Sequence, residues 1–173
     1  MSTAQADESA LDVASFTRSP VNGEPLDRGL GHVTRSSPGR NGRGKMGLSD
    51  AKVEPAIPVS DIAKAREFYE GKLGLSGGRN IGDGGITYPC GAGREIHIYP
   101  SPNNAGKSGG TIAAWEVDDL ERTVDELTAN GVTFQQVDSG RIKTNEKGIA
   151  ALGEDRMAWF SDPDGNVFGI AQL

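Results

Sequence analysis

Cysteine is nearly absent from this chain: Cys90 is the only one in 173 residues. An intrachain disulfide is therefore excluded, and a reducing cytoplasm is the default compartment. Tyr88-Pro89-Cys90-Gly91 sets no activating base beside the thiol, so Cys90 reads as an ordinary side chain rather than a nucleophile. Long apolar runs are missing as well. No stretch approaches the roughly 20 residues that a membrane span needs, and there is no apolar signal-peptide core. Large apolar side chains are few, since hydrophobic residues make up only 35% of the chain, while glycine is abundant, with 25 copies. Both biases lessen once residues 1–45 are set aside. That segment is poor in large apolar groups and runs through Thr34-Arg35-Ser36-Ser37-Pro38-Gly39-Arg40-Asn41-Gly42-Arg43-Gly44. It cannot bury enough apolar surface to offset the entropy of ordering, which predicts a disordered tail.

Charge divides the chain at the same place. Residues 1–45 carry six Lys/Arg against five Asp/Glu, and residues 46–173 carry twelve against nineteen. An acidic globular part argues against nucleic acid as the main partner. The spaced arginines of the tail read as solvated linker, and its five acidic residues argue against an organelle transit peptide. Met46 stands directly before Gly47-Leu48-Ser49-Asp50, where translation could begin. The length leaves room for one ordinary domain, expected over residues 46–173.

What is present is a repeat. Ile57-Pro58-Val59-Ser60-Asp61-Ile62 and Trp115-Glu116-Val117-Asp118-Asp119-Leu120 superpose at an offset of 58 residues. Each is preceded by a strand-like run and followed by a helical one. The first helix is expected from Ile62 to Leu73, with Ile62, Ala65, Phe68, Tyr69 and Leu73 on one stripe. The second is expected from Leu120 to Ala129, with Leu120, Val124 and Leu127 on its stripe. Ser60/Asp61 and Asp118/Asp119 supply capping oxygens, and Gly74 and Gly131 stand where a left-handed residue would end each helix. Strands are then expected at 75–81, 86–88 and 95–99, and again at 132–137, 156–160 and 166–171. Asp162-Pro163-Asp164-Gly165 reads as a turn between the last two, with no catalytic duty required of its aspartates. The order is β-α-β-β-β, twice.

These residues resemble a known family. Pro55-Ala56-Ile57-Pro58-Val59-Ser60-Asp61, Ala65-Arg66-Glu67-Phe68-Tyr69-Glu70 and Leu73-Gly74-Leu75 look like the opening module of vicinal-oxygen-chelate proteins, the group of glyoxalases, bleomycin-resistance proteins and extradiol dioxygenases. Trp115-Glu116-Val117-Asp118-Asp119-Leu120, Asn130-Gly131-Val132 and Phe160-Ser161-Asp162-Pro163-Asp164-Gly165-Asn166 look like the second module. The resemblance implies an α+β fold of two βαβββ modules, about 51–101 and 110–173, whose sheets form a cup around a ligand. Metal enzymes of the group place ligands on the first and fourth strands of each module. The matching positions here hold Glu54, Ile112, Gly169, and either Glu95 or His97. A divalent ion needs three or four N or O donors, and Ile112 and Gly169 supply none, so no metal and no cofactor are expected.

Strand alternation together with the family pattern puts Glu54, Ala56, His97, Tyr99, Ile112, Ala114, Met157, Trp159 and Gly169 on the concave face. That is an apolar and aromatic pocket with a few polar groups, the usual makeup of a small-molecule site. The expected function is metal-free binding of a small apolar or aromatic molecule, in the manner that the resemblance to bleomycin-resistance proteins implies. An enzyme is the alternative, with Glu54 and His97 as a metal-free general acid–base pair, or with a recruited metal as a glyoxalase-like lyase or dioxygenase. A non-catalytic partner or regulatory module is the third class. The family further implies a homodimer.

Overall fold

The computed structural model describes Leu48 and residues 51–173. The tail expected over residues 1–45 lies outside the described residues. Module one opens with β1 (Ala56–Val59), followed by α1 (Ile62–Arg66) and a π-helical continuation over Glu67–Lys72. Asp61 caps the start, its Oδ1 accepting from the amides of Ala63 at 2.8 Å and Lys64 at 3.2 Å. Gly74 closes the end at φ +72°, a conformation open to glycine at little steric cost. The wider π turn brings two adjacent aromatic residues, Phe68 and Tyr69, into the core together. Three strands follow: β2 (Arg79–Asn80), β3 (Ile86–Pro89) and β4 (Glu95–Pro100).

Module two repeats the plan with additions. β5 (Thr111–Glu116) leads into α2 (Leu120–Ala129), capped by the Asp119 side chain, which accepts from the Arg122 amide, and closed by Gly131 at φ +87°. A small hairpin, β6 (Asp138–Ser139) with β7 (Ile142–Lys143), precedes β8 (Ile149–Leu152), β9 (Asp155–Ser161) and β10 (Val167–Gln172). The strand expected at 132–137 is not formed. Phe134 makes an isolated bridge to Phe160, and β8 takes the strand position beside β9. The expected turn at Asp162–Gly165 is present, with the Gly165 amide donating to the Asp162 carbonyl at 3.0 Å and Gly165 at φ +92°.

The two sheets have matching topology, β1-β4-β3-β2 and β5-β10-β9-β8, each with its first strand parallel to its fourth. This is the α+β pattern that the doubled β-α-β-β-β order predicts. One face of each sheet joins both helices in a common core. Ile57, Val59, Ile86, Tyr88, Ile96 and Ile98 come from the first sheet, and Ala158, Phe160, Phe168 and Ile170 from the second. Phe68 lies 6.3 Å from Phe160, and Tyr69 meets Phe168 edge-on at 6.1 Å, so the first helix packs on strands of the second module.

A buried polar clasp reinforces that packing. The Tyr69 hydroxyl donates to Asp162 Oδ2 at 2.8 Å, and Asn166 Nδ2 donates to the same oxygen and to the Pro58 carbonyl, each at 2.8 Å. The other oxygen, Oδ1, accepts from the amides of Asp164 and Asn166. Asp164 in turn accepts from the Ser60 amide at 2.9 Å. The aspartates of the turn thus tie module one to module two. No helix among the described residues is long and apolar enough to cross a membrane.

Candidate functional site

Because both helices share the common core, the opposite face of each sheet turns outward from it, and these outward faces carry most of the residues singled out from the sequence. On the first sheet Ala56, His97 and Thr87 stand in one cross-strand row, with Pro58 and Tyr99 in the next. His97 and Tyr99 stack at 5.7 Å with ring planes 12° apart. Both ring nitrogens of His97 have partners. Nε2 lies 2.8 Å from Asp83 Oδ2, and Nδ1 lies 3.3 Å from the hydroxyl of buried Thr87. Glu95, two residues back on β4, is ion-paired with Arg79.

Glu54 is exposed ahead of β1, and the carboxylate that meets His97 is Asp83. The Gly85 amide donates to Asp83 Oδ1 at 2.8 Å, which with the His97 contact holds this carboxyl below the usual carboxylate range against the opposing effect of desolvation. Gly85 is required for steric reasons. A Cβ there would sit 2.5 Å from the Ile98 carbonyl oxygen and 2.7 Å from His97 Cε1. The sequence signal was Gly82-Asp83-Gly84-Gly85, a turn whose aspartate accepts from an amide two residues on. Nothing local says that its second oxygen reaches across to β4.

On the second sheet Ala114, Gly169 and Trp159 form a row, since Gly169 pairs with both of the others. Met157, Trp159, Val167, Ala171 and Ala150 make a second buried apolar cluster, separate from the common core. Ile112 is placed differently from expectation. The β5–β10 register slips so that Val167 pairs with Thr111 and Phe168 with Ala113. Ile112 is the extra residue of this bulge and packs against the common core. Thr111 takes its place on the outward face: a Cβ on Gly169 would lie 3.5 Å from Thr111 Cγ2 and 3.4 Å from Ala114 Cβ.

Trp159 is only 3% exposed, and its indole N–H has no hydrogen-bond partner among the described residues. A donor left unpaired in such surroundings costs roughly 1–3 kcal/mol, so it stands out among the described residues, whose other buried side-chain polar atoms are paired. An apolar cavity of about 170 Å³ lies on the opposite, core-facing side of the second sheet, lined by Leu73, Leu75, Trp115, Leu127, Phe160 and Ile170 among others. None of the nine residues picked from the sequence lines it. Leu73, Leu127 and Trp115 were legible only as core-stripe or repeat positions.

The donor set does not fit a metal of the kind the family's enzymes use. Gly169 has no side chain, Ile112 is apolar and turned to the core, and Glu95 is neutralised by Arg79. His97 has both nitrogens engaged, and no group of three or more His, Cys, Asp or Glu suited to an ion occurs among the described residues.

Comparison with solved structures gives the same architecture. The crystal structure of UcmS2 is 22% identical, with a TM-score of 0.54 over 69% of this chain and 96% of that one. An integron cassette protein from the mobile metagenome of a Halifax Harbour sewage outfall is 17% identical, with a TM-score of 0.54 over 72% and 99%. A glyoxalase/bleomycin resistance protein from Catenulispora acidiphila is 20% identical, with a TM-score of 0.52 over 70% and 96%. At these identities the likeness speaks for the fold alone. A comparison with curated proteins found no match. The family description "Glyoxalase/Bleomycin resistance protein/Dioxygenase superfamily" matches residues 52–170, which span both modules. The chain therefore belongs to the glyoxalase, bleomycin-resistance and dioxygenase superfamily.

Proposed function

We propose that this protein binds a small apolar or aromatic molecule without a metal, using the outward faces of its two sheets as the walls of a cup. The observation that carries this reading is the second apolar cluster. Both helices pack into the common core, yet Met157, Trp159, Val167 and Ala171 gather on the other face of the same sheet. A sheet apolar on both faces has more apolar surface than one core requires, and a ligand site is one use for the excess. The first sheet supplies a contrasting wall of His97, Tyr99, Thr87 and the Arg79–Glu95 pair. The two outward faces of one chain look away from its common core, which favours a homodimer in which a wall of one chain meets a wall of its partner.

Metal-free acid–base catalysis by Glu54 and His97 has less support, because His97 is held between Asp83 and Thr87 rather than facing Glu54. The test is fluorescence titration of a Trp115→Phe variant with a panel of planar hydrophobic compounds, leaving Trp159 as the one tryptophan. Saturable change in emission supports the reading. A flat response across the panel defeats it.

A further inference from the structure

The cavity of about 170 Å³ on the core-facing side of the second sheet plays no part in the cup described above. We propose that it is a separate binding site for one small, uncharged aromatic ring, a benzene or short alkylbenzene, seated against Trp115 and Phe160. This inference is independent of the ligand-binding role proposed for the outward faces.

Access comes first. Phe160 and Ile170 on the sheet are 1% and 2% exposed and form the floor. The remaining lining residues, among them Trp115 on β5, Thr123 and Leu127 on α2 and Leu73 at the end of the first helix, are half-buried and surround an opening to solvent. A ligand therefore enters without unfolding an element. The ends of the two helices are tied beside this opening. Lys72 Nζ donates to the Gly131 carbonyl at 2.9 Å, and Asn130 Nδ2 donates to the Lys72 carbonyl at 3.3 Å. Lys72, Glu116, Asp118 and Glu126, each next to a lining residue along the chain, are exposed. The apolar surface thus stops at the mouth, which suits a small molecule better than the apolar face of a protein partner.

Lining and volume then select the class. The lining is aliphatic and aromatic apart from Thr123, whose hydroxyl is already committed to the Asp119 carbonyl at 2.7 Å. Water needs two to four polar partners to be held in a cavity, and apolar cavities of roughly 150 Å³ lined by such side chains stay dry and take up benzene or xenon. This one is of similar size and open on one side, so a ring fits with a short substituent toward the mouth. Trp115 and Phe160 lie with their planes 22° apart and centroids 6.2 Å apart, presenting flat faces on the sheet side. A charged group drawn inside would lose its hydration with no partner to replace it.

The experiment uses the full-length chain labelled with ¹⁵N, in which Trp115 and Trp159 give the two indole N–H resonances. A Trp115→Phe variant assigns them. The probes are toluene, benzoate and benzylammonium, which share a ring and differ in charge. Toluene should shift the Trp115 indole and the amides of Leu73 and Leu127 saturably, with a Kd on the order of 0.1–1 mM. The Trp159 indole, on the other face of the sheet, should stay still. Benzoate and benzylammonium should bind at least roughly tenfold more weakly. Thr123→Phe, which puts a ring into the cavity from α2, should abolish the toluene shifts. Shifts confined to Trp159 would place the probe on the outward face, which overturns this inference and supports the other reading. No saturable shift at Trp115 overturns it as well, leaving the outward faces to their own titration. Equal binding of all three probes would overturn the apolar selectivity. The wild-type map decides the matter even if Thr123→Phe fails to fold.

Discussion

Tyr69→Phe removes one oxygen from the middle of the clasp between the modules, and its consequences can be worked out from the structure. Tyr69 is fully buried, and its hydroxyl donates to Asp162 Oδ2 at 2.8 Å. Asp162 is 6% exposed and takes its remaining hydrogen bonds from Asn166 and the Asp164 amide. The phenyl ring keeps its contacts with Phe68 and Phe168, so the loss is one hydrogen bond to a carboxylate that stays buried. Hydrogen bonds to charged groups contribute about 1.5–3 kcal/mol, and for a domain of this size each kcal/mol moves Tm by roughly 3–6 °C. The expected loss at neutral pH is therefore on the order of 5–15 °C, measured by circular dichroism or calorimetry.

The same substitution has a pH signature. Burial, first, and then the Asp162 charge and hydrogen bond push the Tyr69 hydroxyl far above the usual tyrosine range. The folded state thus holds this proton more tightly than the unfolded chain, where it leaves near pH 10. Its contribution to stability is complete below about pH 10 and is lost as pH rises from there toward the native value. Burial, first, and then the hydrogen bond to Glu70 at 2.9 Å push Tyr88 up to about 12, which adds to the same alkaline slope. Tyr69→Phe should therefore melt earlier at pH 7 yet lose stability less steeply between pH 10 and 12 than the wild type. Equal melting temperatures at pH 7 with parallel alkaline slopes would refute the assignment of Tyr69–Asp162 as the clasp.

Trp159→Ala should cost about 3–5 kcal/mol, the usual loss for a buried tryptophan, because the side chain is 3% exposed; an unchanged denaturation midpoint would mean that the contacts around the indole add little to stability. Gly85→Ala forces a methyl to 2.7 Å from His97 Cε1, so a loss of about 1–3 kcal/mol is expected, with the His97 ring signals shifted in NMR; wild-type behaviour would mean that the Asp83 turn yields freely. Elemental analysis after incubation with zinc, manganese, nickel or iron should find no stoichiometric metal, and one tightly held ion per chain would restore the metal-enzyme reading. Light scattering at tens of micromolar should give the mass of a homodimer, whereas a monomer would require both walls of the cup to come from one chain.

Local chemistry written in the chain decided most of the elements. Asp61 and Asp119 cap helices wherever an apolar stripe follows them, and Gly74 and Gly131 end those helices because a left-handed residue is needed there. The turn at Asp162–Gly165 and the apolar runs of β9 and β10 are likewise properties of a few neighbouring residues. From these the doubled β-α-β-β-β order and the family could be read. What the sequence left open depends on partners far along the chain. β8 is Ile-Ala-Ala-Leu, a weak strand by its own preference, and it forms because β9 offers an edge. The more strand-like run at 132–137 comes no further than the bridge at Phe134. The bulge that turns Ile112 inward arises only when β5 is laid against β10, so strict alternation misplaced it by one residue. Asp83 becomes the partner of His97 because a glycine-rich turn folds back over β4, fourteen residues away in sequence. The clasp of Tyr69 with Asp162 closes across 93 residues. Capping, turns and periodicity act over one or two turns of chain and survive in the sequence. Register, bulges and side-chain pairing across strands are settled only by which segments pack together, and those decided the candidate site.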